Sequence, residues 1–229
     1  MRVNSVYNIL QGEGINCGIP QTMLRLQGCP GSCKWCDTPQ ARSADGGELM
    51  NMEQVVMSLL RYKHRWICVS GGEPLLQVDE LHQLIKHHLL AGTDWEIETS
   101  GYYPPPNWVS WVRTWVTDNK CPSSGMVSKS IDAWYKELNR LNYNHPLHAI
   151  KFVVQDQKDL EFALEHKPLW MTAILRPVTF GISKNAGEVV ISKEQVAWNR
   201  EVAEFALEKK FRFSLQVQKL LYGQERQDV

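Results

Sequence analysis

The 229-residue sequence has no surplus of either charge: 25 Lys plus Arg face 25 Asp plus Glu, which leaves zero formal charge with histidine neutral. A strongly basic nucleic-acid binder needs excess cations to displace phosphate counterions, so no direct nucleic-acid partner is expected. Long apolar runs are missing too. None approaches the roughly 18 uninterrupted residues that a membrane span requires, and Met1-Arg2-Val3-Asn4 opens no charged-then-apolar export signal. A soluble, cytoplasmic chain without a membrane partner is the expectation. Cysteine, at six in 229 residues, is too sparse for a disulfide-stapled secreted scaffold. No repeat period is visible, and only Gln224 to Val229 reads as a flexible end, so residues 1–229 are expected to form one domain.

What the sequence does have is alternation. Extended stretches Val3–Leu10 and Gln21–Leu26 bracket Gly12-Glu13-Gly14, and Asn51 with Gln54 caps a helix to about Lys63. Strand Trp66–Ser70, helix Asp79–Leu90 and strand Trp95–Thr99 follow. Pro104-Pro105-Pro106 starts a short helix, Trp115–Asp118 is a strand, and Ile131–Leu141 a helix. Ala149–Val154 reads as a buried strand of branched residues, Lys158–His166 as a helix, and Trp170–Val178, Lys193–Lys210 and Phe211–Val217 as strand, helix and strand. This rhythm predicts an α/β fold with a mainly parallel sheet, open or curled into a barrel, and places chemistry at the C-terminal strand ends.

The cysteines are clustered rather than scattered. Cys29, Cys33 and Cys36 stand at C-x3-C-x2-C, so that one tight loop can wrap its sulfurs around a small inorganic core. A closed structural zinc site wants four protein ligands, whereas a four-iron cluster on three thiolates leaves one iron open. The spacing alone also admits a zinc knuckle that borrows Cys17 or a histidine. Cys68 and Cys121 read as buried packing residues, and His145 with His148 as a solvated loop rather than a metal pair.

This triad, with Trp35 before its last cysteine and Gly71-Gly72-Glu73-Pro74 after a later strand, resembles the radical S-adenosylmethionine enzymes. Leu10-Gln11-Gly12-Glu13-Gly14, Arg25-Leu26-Gln27-Gly28-Cys29, Cys36-Asp37-Thr38, Glu98-Thr99-Ser100-Gly101 and Gln216 to Lys219 narrow the resemblance to the 7-carboxy-7-deazaguanine synthase family. The likeness runs in order along nearly the whole chain.

The resemblance implies a single radical S-adenosylmethionine domain, a shortened parallel-sheet partial (β/α) barrel. It implies a carbon–nitrogen lyase that contracts 6-carboxy-5,6,7,8-tetrahydropterin to 7-carboxy-7-deazaguanine with loss of ammonia, in queuosine-type deazapurine biosynthesis. The implied cofactors are a [4Fe-4S] cluster on Cys29, Cys33 and Cys36, S-adenosylmethionine, and Mg²⁺ held in part by Thr38. Gly71, Gly72 and Glu73 would receive the methionine end of the cofactor. Trp35, Cys36 and Asp37 would line its adenosyl side, and Asp118, Asn119 and Lys120 would reach the ribose or carboxylate. Leu10, Gln11, Gly12, Glu13, Arg25, Ser70, Glu98 and Gln218 are the implied substrate contacts, with Arg25 offering a planar fork to the carboxylate. No protein catalytic group beyond the cofactor-derived radical is implied. A flavodoxin-like or other low-potential electron donor and a homodimer are the implied partners.

Two stretches depart from the family pattern. Gln218 stands where relatives often carry a histidine, and so cannot supply charge there. Asn119-Lys120-Cys121 replaces the Ser-Pro-Lys of some relatives. An activase that installs a glycyl radical, or a non-catalytic zinc-binding module, would share the cysteine loop without needing the Gln11, Glu13, Arg25 and Glu98 set.

Overall fold

A computed structural model describes residues 1–142, 147–185 and 188–223. His145 and the stretch Gln224 to Val229 lie outside the described residues. The strands are β1 (Arg2–Leu10), β2 (Pro20–Leu26), β3 (Glu48–Leu49), β4 (Trp66–Gly71), β5 (Asp94–Thr99), β6 (Thr114–Asp118), β7 (Ala149–Val154), β8 (Thr172–Pro177), β9 (Ile182–Asn185), β10 (Glu188–Ile191) and β11 (Arg212–Phe213). The α-helices are α1 (Met52–Leu60), α2 (Val78–Ile85), α3 (Ile131–Asn142), α4 (Gln157–Glu165), α5 (Lys193–Lys209) and α6 (Val217–Tyr222).

Nine strands form one sheet in the order β11-β8-β7-β6-β5-β4-β2-β1-β3, and β9 and β10 form a separate hairpin. From β2 through β11 neighbouring strands run parallel, while β1 is antiparallel to both β2 and β3. The end strands β11 and β3 do not pair, so the sheet is an open, mainly parallel α/β sheet and not a closed barrel. No helix among the described residues is long and apolar enough to cross a membrane.

Side chains alternate across a strand, and here the alternation separates core from cavity. Leu24 and Leu26 on β2, Ile67 and Val69 on β4, Trp95 and Ile97 on β5, and Ile150 and Phe152 on β7 join one apolar cluster with Val55, Leu81, Leu138 and Val202 from the helices. The intervening positions face the other way: Arg25, Ser70, Glu98, Asp118, Lys151 and Arg176 all line one cavity. Burying the first set stabilises the fold by roughly 25 cal/mol per Å² of apolar area, which leaves the opposite face free to carry charge.

The predicted cap of α1 is present: Asn51 Oδ1 accepts from the Gln54 N–H at 2.9 Å and Gln54 Oε1 from the Asn51 N–H at 2.8 Å. Other expectations are corrected. Helix α2 stops at Ile85, and a 3-10 turn, His88–Leu90, takes over. Only a 3-10 turn, Val109–Trp111, follows the three prolines. The β9–β10 hairpin has no counterpart in the sequence reading. The last strand shrinks to Arg212–Phe213, and Gln218 sits on helix α6 instead. Here the Val217 N–H is taken by Gly12 O, while the Leu220 and Gly223 N–H groups donate to Gln216 O and Lys219 O, so helical bonding wins over the sheet edge. His148 is buried rather than solvated, and its Nδ1 accepts from the Trp115 N–H at 3.0 Å.

Candidate active site

The cavity lies at the C-terminal ends of the parallel strands and measures about 1430 Å³ counting its open mouth. Its wall includes Cys29, Cys33, Cys36, Trp35, Asp37, Thr38, Gly71, Gly72, Asp118 and Lys120 on one side. Leu10, Gln11, Gly12, Glu13, Arg25, Ser70, Glu98 and Gln218 complete it. Two sequence-predicted residues are not on this wall. Glu73 is fully buried, and its carboxylate is filled by donors from Leu75 N–H at 3.1 Å, Thr99 Oγ1 at 2.7 Å, Ser100 N–H at 2.8 Å and the Ser100 hydroxyl. It ties the turn after β4 to the end of β5. Asn119 is likewise buried, and bonds the Tyr135 hydroxyl at 3.2 Å and Lys151 O at 2.8 Å.

The cysteine loop is shaped by backbone rather than by a helix. The Gly28 N–H and Cys29 N–H donate to Ala41 O and Arg42 O at 2.9 and 3.0 Å, and Lys34 N–H to Ser124 O at 3.0 Å. These bonds pin both ends of the loop. The three loop thiols interact electrostatically, yet among the described residues only Cys68, Glu96 and Glu98 form a group whose ligand atoms all lie within 4.8 Å of one another. Three thiolates can hold a four-iron core and leave one iron open. Cys17 is exposed and off the cavity wall, so it adds no fourth ligand.

Three acceptors surround the amide nitrogen of Gln11. Glu96 Oε1 lies 3.1 Å away, Glu98 Oε1 3.5 Å and Cys68 Sγ 3.6 Å. Glu96 is buried and is held in turn by Gln21 Nε2 at 2.7 Å and Asn16 Nδ2 at 2.9 Å. Burial, with the Glu98 charge second, pushes Glu96 up to about 7. Rotating the Gln11 amide would turn its oxygen onto two carboxylates, so its oxygen is presented away from them. Cys68, expected to be a plain hydrophobe, belongs to this polar nest.

Above it sits a network of buried and half-buried charges in which the sequence points to Glu13, Asp37 and Glu98 but not to Lys151 or Arg176. Lys151 Nζ lies 3.3 Å from Glu13 and 3.6 Å from Glu98, and Arg176 lies 3.1 Å from Glu13 and 3.7 Å from Asp37. Gln216 Nε2 donates to Asp37 at 2.9 Å and Glu13 at 3.4 Å. Burial raises the carboxyl of Glu13, but Lys151 and Arg176 outweigh it and hold the group ionised. Burial likewise acts on Asp37 and is outweighed by Arg176, Lys219 and the Gln216 hydrogen bond. Glu98 goes the other way: burial raises it and Lys151 only partly compensates. Lys151 and Arg176 are each a lone charge at an otherwise apolar strand position, a signal that gains meaning only once the face they share is seen to line the cavity. Lys120 pairs with Asp118 at 2.6 Å and stands 5.7 Å over the Trp35 ring, while Trp35 Nε1 donates to Ser123 Oγ at 2.9 Å.

Comparison with known proteins gives this cavity its context. A family model described as a 4Fe-4S single cluster domain matches residues 10–103, which hold the whole cysteine loop. A 7-carboxy-7-deazaguanine synthase of Aquifex aeolicus is 30% identical over 209 residues, 90% of this chain and 82% of that protein. The chain belongs to the 7-carboxy-7-deazaguanine synthase family. A synthase of Methanospirillum hungatei is 39% identical over 163 residues, covering 71% of this chain and 65% of that protein. One of Leptospira interrogans is 29% identical across 98% of this chain and 96% of its own. The crystal structure of QueE from Escherichia coli has the same fold, with a TM-score of 0.62 at 22% identity over 94% of this chain and 93% of that one. As a member of this synthase family the chain is a radical S-adenosylmethionine lyase, and a four-iron cluster with S-adenosylmethionine is its cofactor set.

Proposed function

We propose that this synthase contracts 6-carboxy-5,6,7,8-tetrahydropterin to 7-carboxy-7-deazaguanine with loss of ammonia. The single observation that carries the reading is one cavity whose wall joins a three-cysteine loop to a set of fixed, buried hydrogen-bonding and charged groups. Cys29, Cys33 and Cys36 would hold the cluster. The Gly71-Gly72 backbone would take the methionine end of the cofactor, with Glu73 bracing the turn from behind. Trp35 and Asp37 would line the adenosyl side, and Asp118 with Lys120 the ribose or carboxylate. When bound, the cluster supplies the low-potential electron that cleaves the sulfonium and starts the radical chemistry.

The chain's own groups bind and orient. A flat bicycle with many polar edges needs donors and acceptors that do not turn, because misplacing the reacting carbon sacrifices the advantage of proximity. Gln11 offers a fixed amide oxygen, and Glu13, kept ionised by Lys151 and Arg176, accepts N–H groups along the same edge. Arg25, buried and resting on Tyr7 with its centre 5.5 Å from the ring, holds its fork toward the cavity. Thr38 Oγ1 donates to Gly71 O at 3.2 Å, which leaves its lone pairs free for a magnesium ion that takes its other oxygens from substrate and water. Leu10, Gly12, Ser70, Glu98 and Gln218 complete the substrate side. A flavodoxin-like donor and a homodimeric assembly are part of the proposal.

The test is anaerobic turnover of the reduced, reconstituted enzyme with S-adenosylmethionine, Mg²⁺ and the carboxytetrahydropterin, followed by mass detection of the deazapurine. Product with cofactor regeneration is expected. Cofactor cleavage without product would favour an activase or another substrate, and stoichiometric zinc without iron would favour a non-catalytic module.

A further inference from the structure

Four cations are buried among the described residues: Arg25, Lys151, Arg176 and Lys219. Lys151 and Arg176 are spoken for by Glu13, Glu98 and Asp37, and Arg25 contacts the Tyr7 hydroxyl. Lys219 differs. It is 8% exposed and lines the cavity, yet its ammonium makes no hydrogen bond or ion pair with any described residue. Burial lowers its proton affinity. Asp37 and Glu13 act against that, and Arg176 and Arg25 reinforce it.

The side chain lines the cavity, where its ammonium feels two guanidinium groups across the same space. Asp37 and Glu13 draw it without a direct contact, while Glu13 holds Lys151 and Arg176, and Oδ2 of Asp37 holds Gln216 and Arg176. An anion entering the cavity between Lys219 and Arg25 would satisfy the ammonium and screen the repulsion at once. Gln218 cannot take this part: it is uncharged, and its Oε1 is buried against Gly12 without a partner. We infer that Lys219, on the first turn of α6, binds the carboxylate of the pterin together with Arg25, and so makes the C-terminal helix a determinant of substrate specificity. The inference rests on the proposed substrate.

Two carboxylates enter this site, one on the pterin and one on the methionine of the cofactor, and equilibrium binding to the reconstituted enzyme without reductant separates them. The ligands are 6-carboxytetrahydropterin and tetrahydropterin lacking the carboxylate, each at saturating S-adenosylmethionine, and then S-adenosylmethionine alone. Lys219→Met should weaken the carboxylated pterin about 10- to 100-fold, the strength of one charge-assisted hydrogen bond. Binding of the decarboxylated ligand should stay within about threefold, which also reports an intact fold. Lys219→Arg should recover most of the loss. Equal weakening of both pterins, no weakening of the carboxylated one, or a loss confined to S-adenosylmethionine would each overturn the assignment. A wild-type enzyme that bound neither pterin would instead remove the substrate reading, and this inference with it.

Discussion

Gly72 lies so close to Gly28 that a Cβ on it would fall 1.9 Å from the Gly28 carbonyl oxygen, and 2.8 Å from that of Ala41. The contact locks the turn after β4 to the loop that carries the cysteines, because the Glu73 N–H also donates to Gly28 O at 2.9 Å. Both obstacles are backbone atoms and cannot swing aside. Gly72→Ala should therefore cost roughly 1–3 kcal/mol of stability, as overpacking does. It should also lower S-adenosylmethionine affinity. Chemical denaturation and equilibrium binding check this, and an unchanged midpoint with unchanged affinity would refute the interlock.

Cys33→Ala and Cys17→Ala form a contrasting pair. The first removes one of three thiols on the cavity wall, and the second an exposed thiol away from it. After anaerobic reconstitution, Cys17→Ala should retain about four irons per chain, whereas Cys33→Ala should lose most of its iron. Equal iron in both would contradict the ligand set.

Lys151 bridges the carboxylates of buried Glu13 and half-buried Glu98, so its removal leaves more than a hole. Lys151→Met strands Glu13 and Glu98 without their shared cation, and breaking a buried pair this way costs about 3–5 kcal/mol. Lys151→Arg, which keeps the charge, should recover part of it. Thermal unfolding of the three proteins measures the difference. A Lys151→Met variant as stable as the parent would show that the network contributes nothing.

His148 sets an acid limit on the fold. Burial pushes it down from 6.5 to about 4, so between those values the unfolded chain binds more protons than the folded one. Its contribution is therefore present above pH 6.5 and is lost as pH falls toward 4. His148→Asn, which can still accept from the Trp115 N–H, should show a flatter loss of stability over that window. Identical pH profiles would sink this assignment.

Much of the fold was legible because the parallel strands end on cysteine, glycine and acidic signals, and the helices between them keep their apolar spacing. The cysteine loop, Arg25 and Glu98 were legible for the same reason, since each stands in a compact local motif. Lys151 and Arg176 were not, because a charge inside a branched strand declares itself only when the sheet's inner face is known to line a cavity. Gln218 is expected just beyond the end of a strand over Phe211–Val217, but that strand stops at Phe213. The helix that carries it begins where Gly12, far away in sequence, takes the Val217 N–H. Glu73 shows the converse, since a motif residue expected at the cofactor is spent holding Thr99 and Ser100.

The most direct measurement is electron paramagnetic resonance of the reduced cluster with and without S-adenosylmethionine labelled with ¹⁵N or ¹⁷O in its methionine group. If three cysteines leave one iron open, the cofactor should shift the spectrum and its labelled atoms should show hyperfine coupling to the cluster. An unchanged spectrum without coupling to the label would mean that a protein side chain already fills that position, and the catalytic account would fail.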